Sequence, residues 1–176
     1  MTWHIRRSMP KQKYVDYVVV KDANIATMDH YDKAGYSLDE FEYHGEGAYM
    51  FFTDLPRSGF SKLYSVAETL VESVNNNMWQ LDIDSWQQPL RFNTYTKGGS
   101  FPLHTDHDRN DASKLALVQL MNDDFVGGEL QIVEDVIDLS PGDAVVFPAF
   151  IPHSVAPVLS GERITFTGWV SGPRFV

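Results

Sequence analysis

From Trp79 onward the chain is cut by turn signals into short apolar stretches, and this punctuation limits the fold more than any other feature. Gly98-Gly99, Asp123-Asp124, Gly127-Gly128, Pro141-Gly142 and Ser160-Gly161 separate candidate strands at Trp79–Ile83, Leu90–Thr96, Lys114–Leu120, Glu129–Val133, Ala144–Phe147 and Arg163–Val170. Glycine and Asx pairs favour turns because they tolerate backbone conformations that other residues resist. Many short strands at such spacing predict a β-sandwich or barrel. Ahead of them, Leu63, Val66, Ala67, Leu70, Val71 and Val74 recur with the period of one helical face. Ser61 is placed to cap that helix and Asn75-Asn76-Asn77 to end it. One helix before a run of strands predicts a mainly β fold with supporting α-helices, a jelly roll backed by a helix.

Earlier still, Tyr14–Val20 and Tyr49–Thr53 read as strands. Residues 21–48 read as a long polar loop with one short helix, and a loop of that length in a compact domain is often functional. No repeat or low-complexity linker divides the 176 residues. The expectation is a single domain over residues 1–176, with a core at about 79–173 and a support region at about 1–78.

The net charge of −10 argues against binding to phosphate backbones and makes nucleic acid an unlikely partner. With no cysteine, disulfides, thiolate ligands and a thiol nucleophile are excluded, in keeping with a reducing cytoplasm. No apolar run is long enough to span a membrane. Met1–Lys13 is mildly basic and lacks the apolar stretch of a secretory signal, so it reads as a solvated end.

Against that background one constellation carries chemistry. His104-Thr105-Asp106 places an imidazole and a carboxylate two residues apart, on one face if the segment is extended. His153, past Pro148 and Pro152, supplies a second imidazole from a distant part of the chain. Two His and one carboxylate suit a non-haem Fe(II) centre, which leaves three coordination positions open; a structural zinc site is usually closed by four ligands. An isolated H-x-D triplet is more often a surface loop, and it is the downstream His153 and Arg163 that raise its standing. His107 reads as the start of a solvated loop reaching Asp111, and His4, His30 and His44 as ordinary surface residues.

Arg163 and Thr165 share a strand face, and a guanidinium beside a hydroxyl receives a carboxylate well. Asn93 and Tyr95 form a second same-face pair that either donates to an acidic ligand or is simply half-buried. Gln119, on the strand after the metal loop, is a weaker candidate for the same pocket. Trp79, Trp86, Phe150 and Trp169 either line a pocket or belong to the core, and the acidic segment Asp39–His44 either covers the site or is solvated.

Taken together, Tyr95-x-x-Gly98-x-x-Phe101-x-x-His104-x-Asp106, Phe125-x-Gly127-Gly128-Glu129-Leu130, Pro141-Gly142-Asp143, His153 and Arg163-Ile-Thr-Phe-Thr-Gly-Trp-Val-Ser-Gly-Pro173 resemble the Fe(II)/2-oxoglutarate-dependent oxygenases, closest to the prolyl 4-hydroxylase-like branch and its small bacterial and phage-type members. The resemblance covers about residues 79–173. It implies a double-stranded β-helix, a distorted jelly roll. It implies Fe(II) on His104, Asp106 and His153, and 2-oxoglutarate as co-substrate with its distal carboxylate on Arg163, helped by Thr165 and Tyr95, and with Asn93 at its other end. Many prolyl hydroxylases carry Lys where Arg163 stands; either cation serves. The expected activity is a 2-oxoglutarate-dependent dioxygenase, a hydroxylase that consumes O2, with ascorbate as reductant. Its substrate is expected to be a peptide or protein residue, proline first, and next a free amino acid or other small metabolite. Two readings compete: a cupin-like metalloenzyme without 2-oxoglutarate, which gives Arg163 no task, and a non-catalytic jelly-roll binding module, which gives the ligand set none. The oligomeric state is not legible.

Overall fold

The computed structural model describes residues 2–5, 15–35, 39–42, 49–84, 86, 88–107 and 112–173. Fourteen strands and two helices follow in the order β1 Thr2–Ile5, β2 Val18–Lys21, α1 Met28–Ala34, β3 Asp39–Glu42, β4 Tyr49–Leu55, α2 Arg57–Met78, β5 Leu90–Tyr95, β6 Phe101–His104, β7 Ser113–Leu120, β8 Phe125–Gly127, β9 Leu130–Ile132, β10 Asp135–Val136, β11 Ala144–Pro148, β12 His153–Val155, β13 Val158–Gly161 and β14 Arg163–Ser171. The major sheet has eight strands in the order β1-β2-β11-β7-β14-β5-β4-β3, and a minor sheet runs β10-β9-β12-β6. Every described pairing is antiparallel. This is the jelly-roll class expected from the turn spacing.

The central strands β2, β11, β7, β14 and β5 of the major sheet are largely buried on both faces, and the two-residue period sorts their side chains between two cores. One face carries Val18, Val20, Leu90, Phe92, Leu115, Leu117, Ala144, Val146, Ile164 and Phe166, packed beneath Leu63, Tyr64, Ala67, Leu70, Val71 and Val74 of α2. The other face carries Val19, Met50, Tyr95, Ala116, Val145 and Phe147, packed against Leu130, Ile132 and Val155 of the minor sheet. Helix α2 is thus a support on the outer face, as its periodicity predicts. Tyr64 ties it to the sheet through its hydroxyl, which donates to Leu55 O at 2.8 Å and accepts from Leu90 N at 3.0 Å.

Several expected boundaries move. The helix starts at Arg57 after Pro56, so Ser61 lies inside it, and Val66 is on its exposed side. It runs through Asn75-Asn76-Asn77 because the buried Asn75 faces inward and finds partners. Asn75 Nδ2 donates to Leu81 O at 2.8 Å and Asn75 Oδ1 accepts from Leu81 N at 3.0 Å. Those two bonds also explain why Trp79–Ile83 is not a strand. Trp79 completes the last helical turn, Gln80 turns at φ 54°, and both backbone groups of Leu81 are taken. Strand β2 is shorter than Tyr14–Val20, and residues 6–14 lie outside the described residues. The polar stretch 21–48 holds α1, as expected, and also β3. Residues 43–48, with His44, and 108–111 lie outside the described residues. His30 is a local cap, its Nδ1 accepting from Thr27 N at 3.2 Å.

Candidate metal and oxoacid site

Strands β6 and β12 pair antiparallel with His104 opposite His153, which brings the two imidazoles together across 49 residues of sequence. Their ring centroids are 4.2 Å apart. Asp106 follows β6 in a bend held by Asp106 N donating to Ala149 O at 2.8 Å. Its carboxylate reaches both rings: Oδ1 is 3.2 Å from His104 Nε2 and Oδ2 is 3.5 Å from His153 Nε2. One donor atom from each residue lies within 4.8 Å of the others.

The far side of each ring is also fixed. His104 Nδ1 lies 2.8 Å from Pro102 O, and His153 Nδ1 lies 3.0 Å from Ile151 O. A carbonyl can only accept, so each Nδ1 carries a proton and each ring turns its Nε2 toward Asp106. Backbone carbonyls commonly orient metal-binding histidines in this way. Burial pulls His153 below the ordinary imidazole range, against the pull of the Asp106 charge and the Ile151 carbonyl. Burial also acts on His104, but its bonds to Asp106 and Pro102 outweigh it and lift that ring above the ordinary range. Trp169 Nε1 donates to Asp106 Oδ2 at 2.8 Å and steers the carboxylate. Two lone pairs and an anionic oxygen converging on one point fit a divalent cation of borderline softness such as Fe(II).

A cavity of about 280 Å³ opens beside these three residues. Its wall is the inner face of β5 and β14, where Arg163 stands opposite Tyr95, Thr165 opposite Asn93 and Thr167 opposite Arg91. Arg163 is 3% exposed. Its guanidinium lies 5.4 Å from the Tyr95 ring centroid and makes no ion pair or side-chain hydrogen bond among the described residues. Burial lowers the Arg163 pKa, against longer-range attraction from Tyr95 and Glu129. Burial likewise raises the Tyr95 hydroxyl, with Arg163 pulling it back and Asp106 adding to the rise. A guanidinium titrates far above neutrality, so Arg163 is a buried charge facing a cavity, an arrangement that calls for an anionic partner. Gly128 makes room for it. A Cβ there would sit 2.8 Å from Arg163 Cδ and 3.0 Å from Val158 Cγ2, at a φ of 69°.

The expected site residues divide. His104, Asp106, His153, Arg163, Thr165, Tyr95 and Asn93 all line the cavity, and Asn93 Nδ2 donates to Thr167 Oγ1 at 3.1 Å. Gln119 does not. It alternates with Val118 and so faces the helix side, where its Oε1 accepts from Ile25 N at 2.8 Å and Ala26 N at 3.1 Å and its Nε2 donates to Ala26 O at 2.8 Å. Its role is to hold the segment before α1. Of the four aromatic candidates only Trp169 lines the cavity; Trp79 and Trp86 pack on the helix-side core and Phe150 on the other core. His107 stands outside the His104–Asp106–His153 group among the described residues, and its Nδ1 lies 2.9 Å from Ser113 O. Arg91 and Thr167 were not foreseen, although extending the two-residue period from Asn93 and from Thr165 reaches both.

A PKHD-type hydroxylase of Cupriavidus pinatubonensis is 33% identical over 97 residues, 47% of this chain and 42% of the relative. One from Saccharophagus degradans is 35% identical over 98 residues, again 47% and 42%. The chain thus spans less than half the length of these curated relatives. A Pseudomonas putida prolyl-4-hydroxylase superposes with a TM-score of 0.69 at 20% identity, covering 90% of this chain and 93% of that one. A viral collagen prolyl hydroxylase from Paramecium Bursaria Chlorella virus-1 gives 0.65 at 15% identity, over 89% and 96%. At such identities the likeness establishes the fold, the prolyl-hydroxylase jelly roll. Residues 90–171, from the first wall strand to the last, match the family model of the 2OG-Fe(II) oxygenase superfamily.

Proposed function

We propose that the chain is a non-haem Fe(II)- and 2-oxoglutarate-dependent dioxygenase that hydroxylates a C–H bond of an amino-acid unit. The balance is one substrate C–H, one 2-oxoglutarate and one O2 giving one C–OH, succinate and CO2. The observation that carries this reading is the coexistence of two complementary receptors in one cavity: a His–Asp–His donor set that suits a cation, and the buried Arg163 guanidinium that suits an anion.

In this reading His104, Asp106 and His153 hold Fe(II), which with the oxoacid and O2 supplies the oxidising power. Every other step belongs to the chain. Pro102 and Ile151 carbonyls keep the Nδ1 protons in place and so keep both Nε2 atoms turned toward Asp106, where the metal would be held. Trp169 holds the Asp106 carboxylate from the side. Arg163 receives the distal carboxylate of 2-oxoglutarate, Thr165 adds a hydroxyl beside it, and Tyr95 and Asn93 donate from the facing strand. The apolar lining from Phe101, Val118, Leu130 and Val155 limits water near the reacting atoms.

The peptidyl reading of the substrate, proline first, is supported by solved neighbours of the same fold, one of which is a prolyl hydroxylase in complex with a hypoxia inducible factor peptide fragment from Trichoplax adhaerens. The free amino-acid reading is supported by the charge pair of Arg91 and Asp54 at the cavity rim. We further propose that residues 1–176 form one oxygenase domain, with 1–78 as its support region, since β2, β3 and β4 share the major sheet with the site strands. A cytoplasmic setting is the corresponding proposal for its location. No described helix is long and apolar enough to cross a membrane.

The test is succinate release with Fe(II), ascorbate and 2-oxoglutarate, together with the absorbance band expected when metal and oxoacid are added without oxygen. Asp106→Ala should abolish both. Wild-type protein showing neither uncoupled succinate nor the band would sink the proposal.

A further inference from the structure

The metal and oxoacid assignments leave one cation of the cavity without a task. Arg91 lies on the inner face of β5, and its guanidinium carbon is 4.7 Å from the Phe52 ring centroid and 5.2 Å from that of Trp169. Its Nε is 3.0 Å from Oδ1 of Asp54, its cross-strand neighbour on β4, but the angle makes no hydrogen bond, and Nε is a buried donor left unsatisfied. The Arg91 side chain is 20% exposed and that of Asp54 is 45% exposed, so the pair sits at the rim, where a lone ion pair contributes little to stability.

Position separates Arg91 from the oxoacid. Arg163 faces Tyr95, while Arg91 faces Thr167 four residues away along β5, roughly 13 Å at the rise of an extended strand. Trp169, which touches Arg91, is the residue that holds Asp106. Arg91 therefore stands at the metal end of the cavity, and a co-substrate held between Arg163 and the metal leaves it unused. Two ring faces fix the plane of its guanidinium, so its outer N–H edge is preorganised for a planar acceptor.

We propose that Arg91 and Asp54 form the receptor for the charged head of a free α-amino acid, and that a free amino acid is the substrate of this site. The substrate carboxylate takes the outer edge of Arg91 and its ammonium takes Asp54. The proposal rests on the oxygenase reading above and names its substrate class. A residue inside a peptide carries neither charge and would offer only neutral amides to this pair, whereas a zwitterion matches it charge for charge. Space points the same way. The cavity of about 280 Å³ must hold the oxoacid as well, and it already lies just below the usual range of ligand pockets, roughly 300–1,000 Å³.

The experiment follows 2-oxoglutarate consumption by the whole chain with Fe(II) and ascorbate. The additions are each of the common amino acids, its α-amide, its N-acetyl form, and short prolyl peptides. At least one free amino acid should accelerate consumption about tenfold or more, and its amide and N-acetyl forms should not. Arg91→Gln should raise the KM of that amino acid at least tenfold, with partial rescue by Arg91→Lys. Asp54→Asn should narrow the gap between the amino acid and its N-acetyl form. Acceleration by peptides alone, acceleration by none of the additions, or Arg91→Gln weakening 2-oxoglutarate binding in place of the amino acid would each overturn the proposal. Comparison of the analogues on wild-type protein decides the matter even if a variant misfolds. Succinate formed with no addition reports the oxygenase assignment separately.

Discussion

Replacing Arg163 by Met should make the protein more stable and useless at once. Arg163 is 3% exposed, carries a charge, and has no ion-pair partner among the described residues. Taking a charge from water into a protein costs several kcal/mol even after relaxation, and a buried charge left unpaired keeps that cost. The Tyr95 ring at 5.4 Å offsets about 0.5–2 kcal/mol of it. Met fills a similar volume without the charge, and exchanges of buried ionic groups for apolar ones have gained about 1–4 kcal/mol. The net expectation for the ligand-free protein is a gain of about 1–3 kcal/mol, worth roughly 2–4 °C in Tm per kcal/mol at this chain length. The assay is thermal unfolding with and without 2-oxoglutarate, using Mn(II) to avoid turnover. Wild type should gain about 2.7 kcal/mol at a hundredfold excess of ligand over Kd, and Arg163→Met should gain almost nothing. A variant less stable than wild type without ligand, or one still stabilised by the oxoacid, would refute the claim that this guanidinium waits for an anion.

Gly128→Ala places a methyl 2.8 Å from Arg163 Cδ at a φ of 69°; it should cost about 1–3 kcal/mol of stability and raise the KM for 2-oxoglutarate several-fold, read by melting and by steady-state rates. Gln119→Leu strands the Ile25 and Ala26 N–H groups, at about 1–3 kcal/mol for an unsatisfied buried group, while leaving the affinity for 2-oxoglutarate unchanged by titration; a loss of affinity would return Gln119 to the site. Burial raises the Asp143 carboxyl, but donation from Lys21 Nζ at 2.7 Å, Ser140 N at 2.8 Å and Asp22 N at 3.0 Å outweighs this and holds it below the ordinary carboxylate value. A depressed folded pKa gives stability that is complete above the unfolded value of about 3.9 and is lost as pH falls through the folded one. The stability gap between wild type and Asp143→Asn, about 1.5–3 kcal/mol at neutral pH for bonds to a charged group, should therefore shrink below about pH 4 in urea unfolding; a gap independent of pH would show that the charge contributes nothing.

The site was more legible in the sequence than the scaffold, for physical reasons. His104, Asp106, His153 and Arg163 are residue types that a core rarely holds without a task, so spacing alone singled them out. The wall of the cavity follows from the two-residue period once Asn93 and Thr165 are placed, and Arg91 and Thr167 lie one step further along the same strands. Gln119 was misplaced because period alone does not say which face a strand turns to which core, and its carboxamide answers to the segment before α1. The strand expected at Trp79–Ile83 failed on a single side chain: Asn75, read as a helix stop, lies inside the helix and takes both backbone groups of Leu81. Strands of two to four residues, such as β10 and β12, are too short to show alternation and are set by the register of their neighbours.

The alternation that splits the major sheet between two cores has a genetic consequence. Along β14, Ile164 and Phe166 point to the helix and Arg163, Thr165, Thr167 and Trp169 point to the site. Deleting one codon within this strand would exchange the two sets beyond the deletion, aiming hydroxyls and an indole at the helix-side core and phenylalanine at the metal. Such a frame-preserving lesion cannot produce a folded but inactive protein or an active but loosened one. In β5 and β14, single-residue insertions and deletions should be absent from functional descendants of this chain, while substitutions on either face accumulate independently of the other.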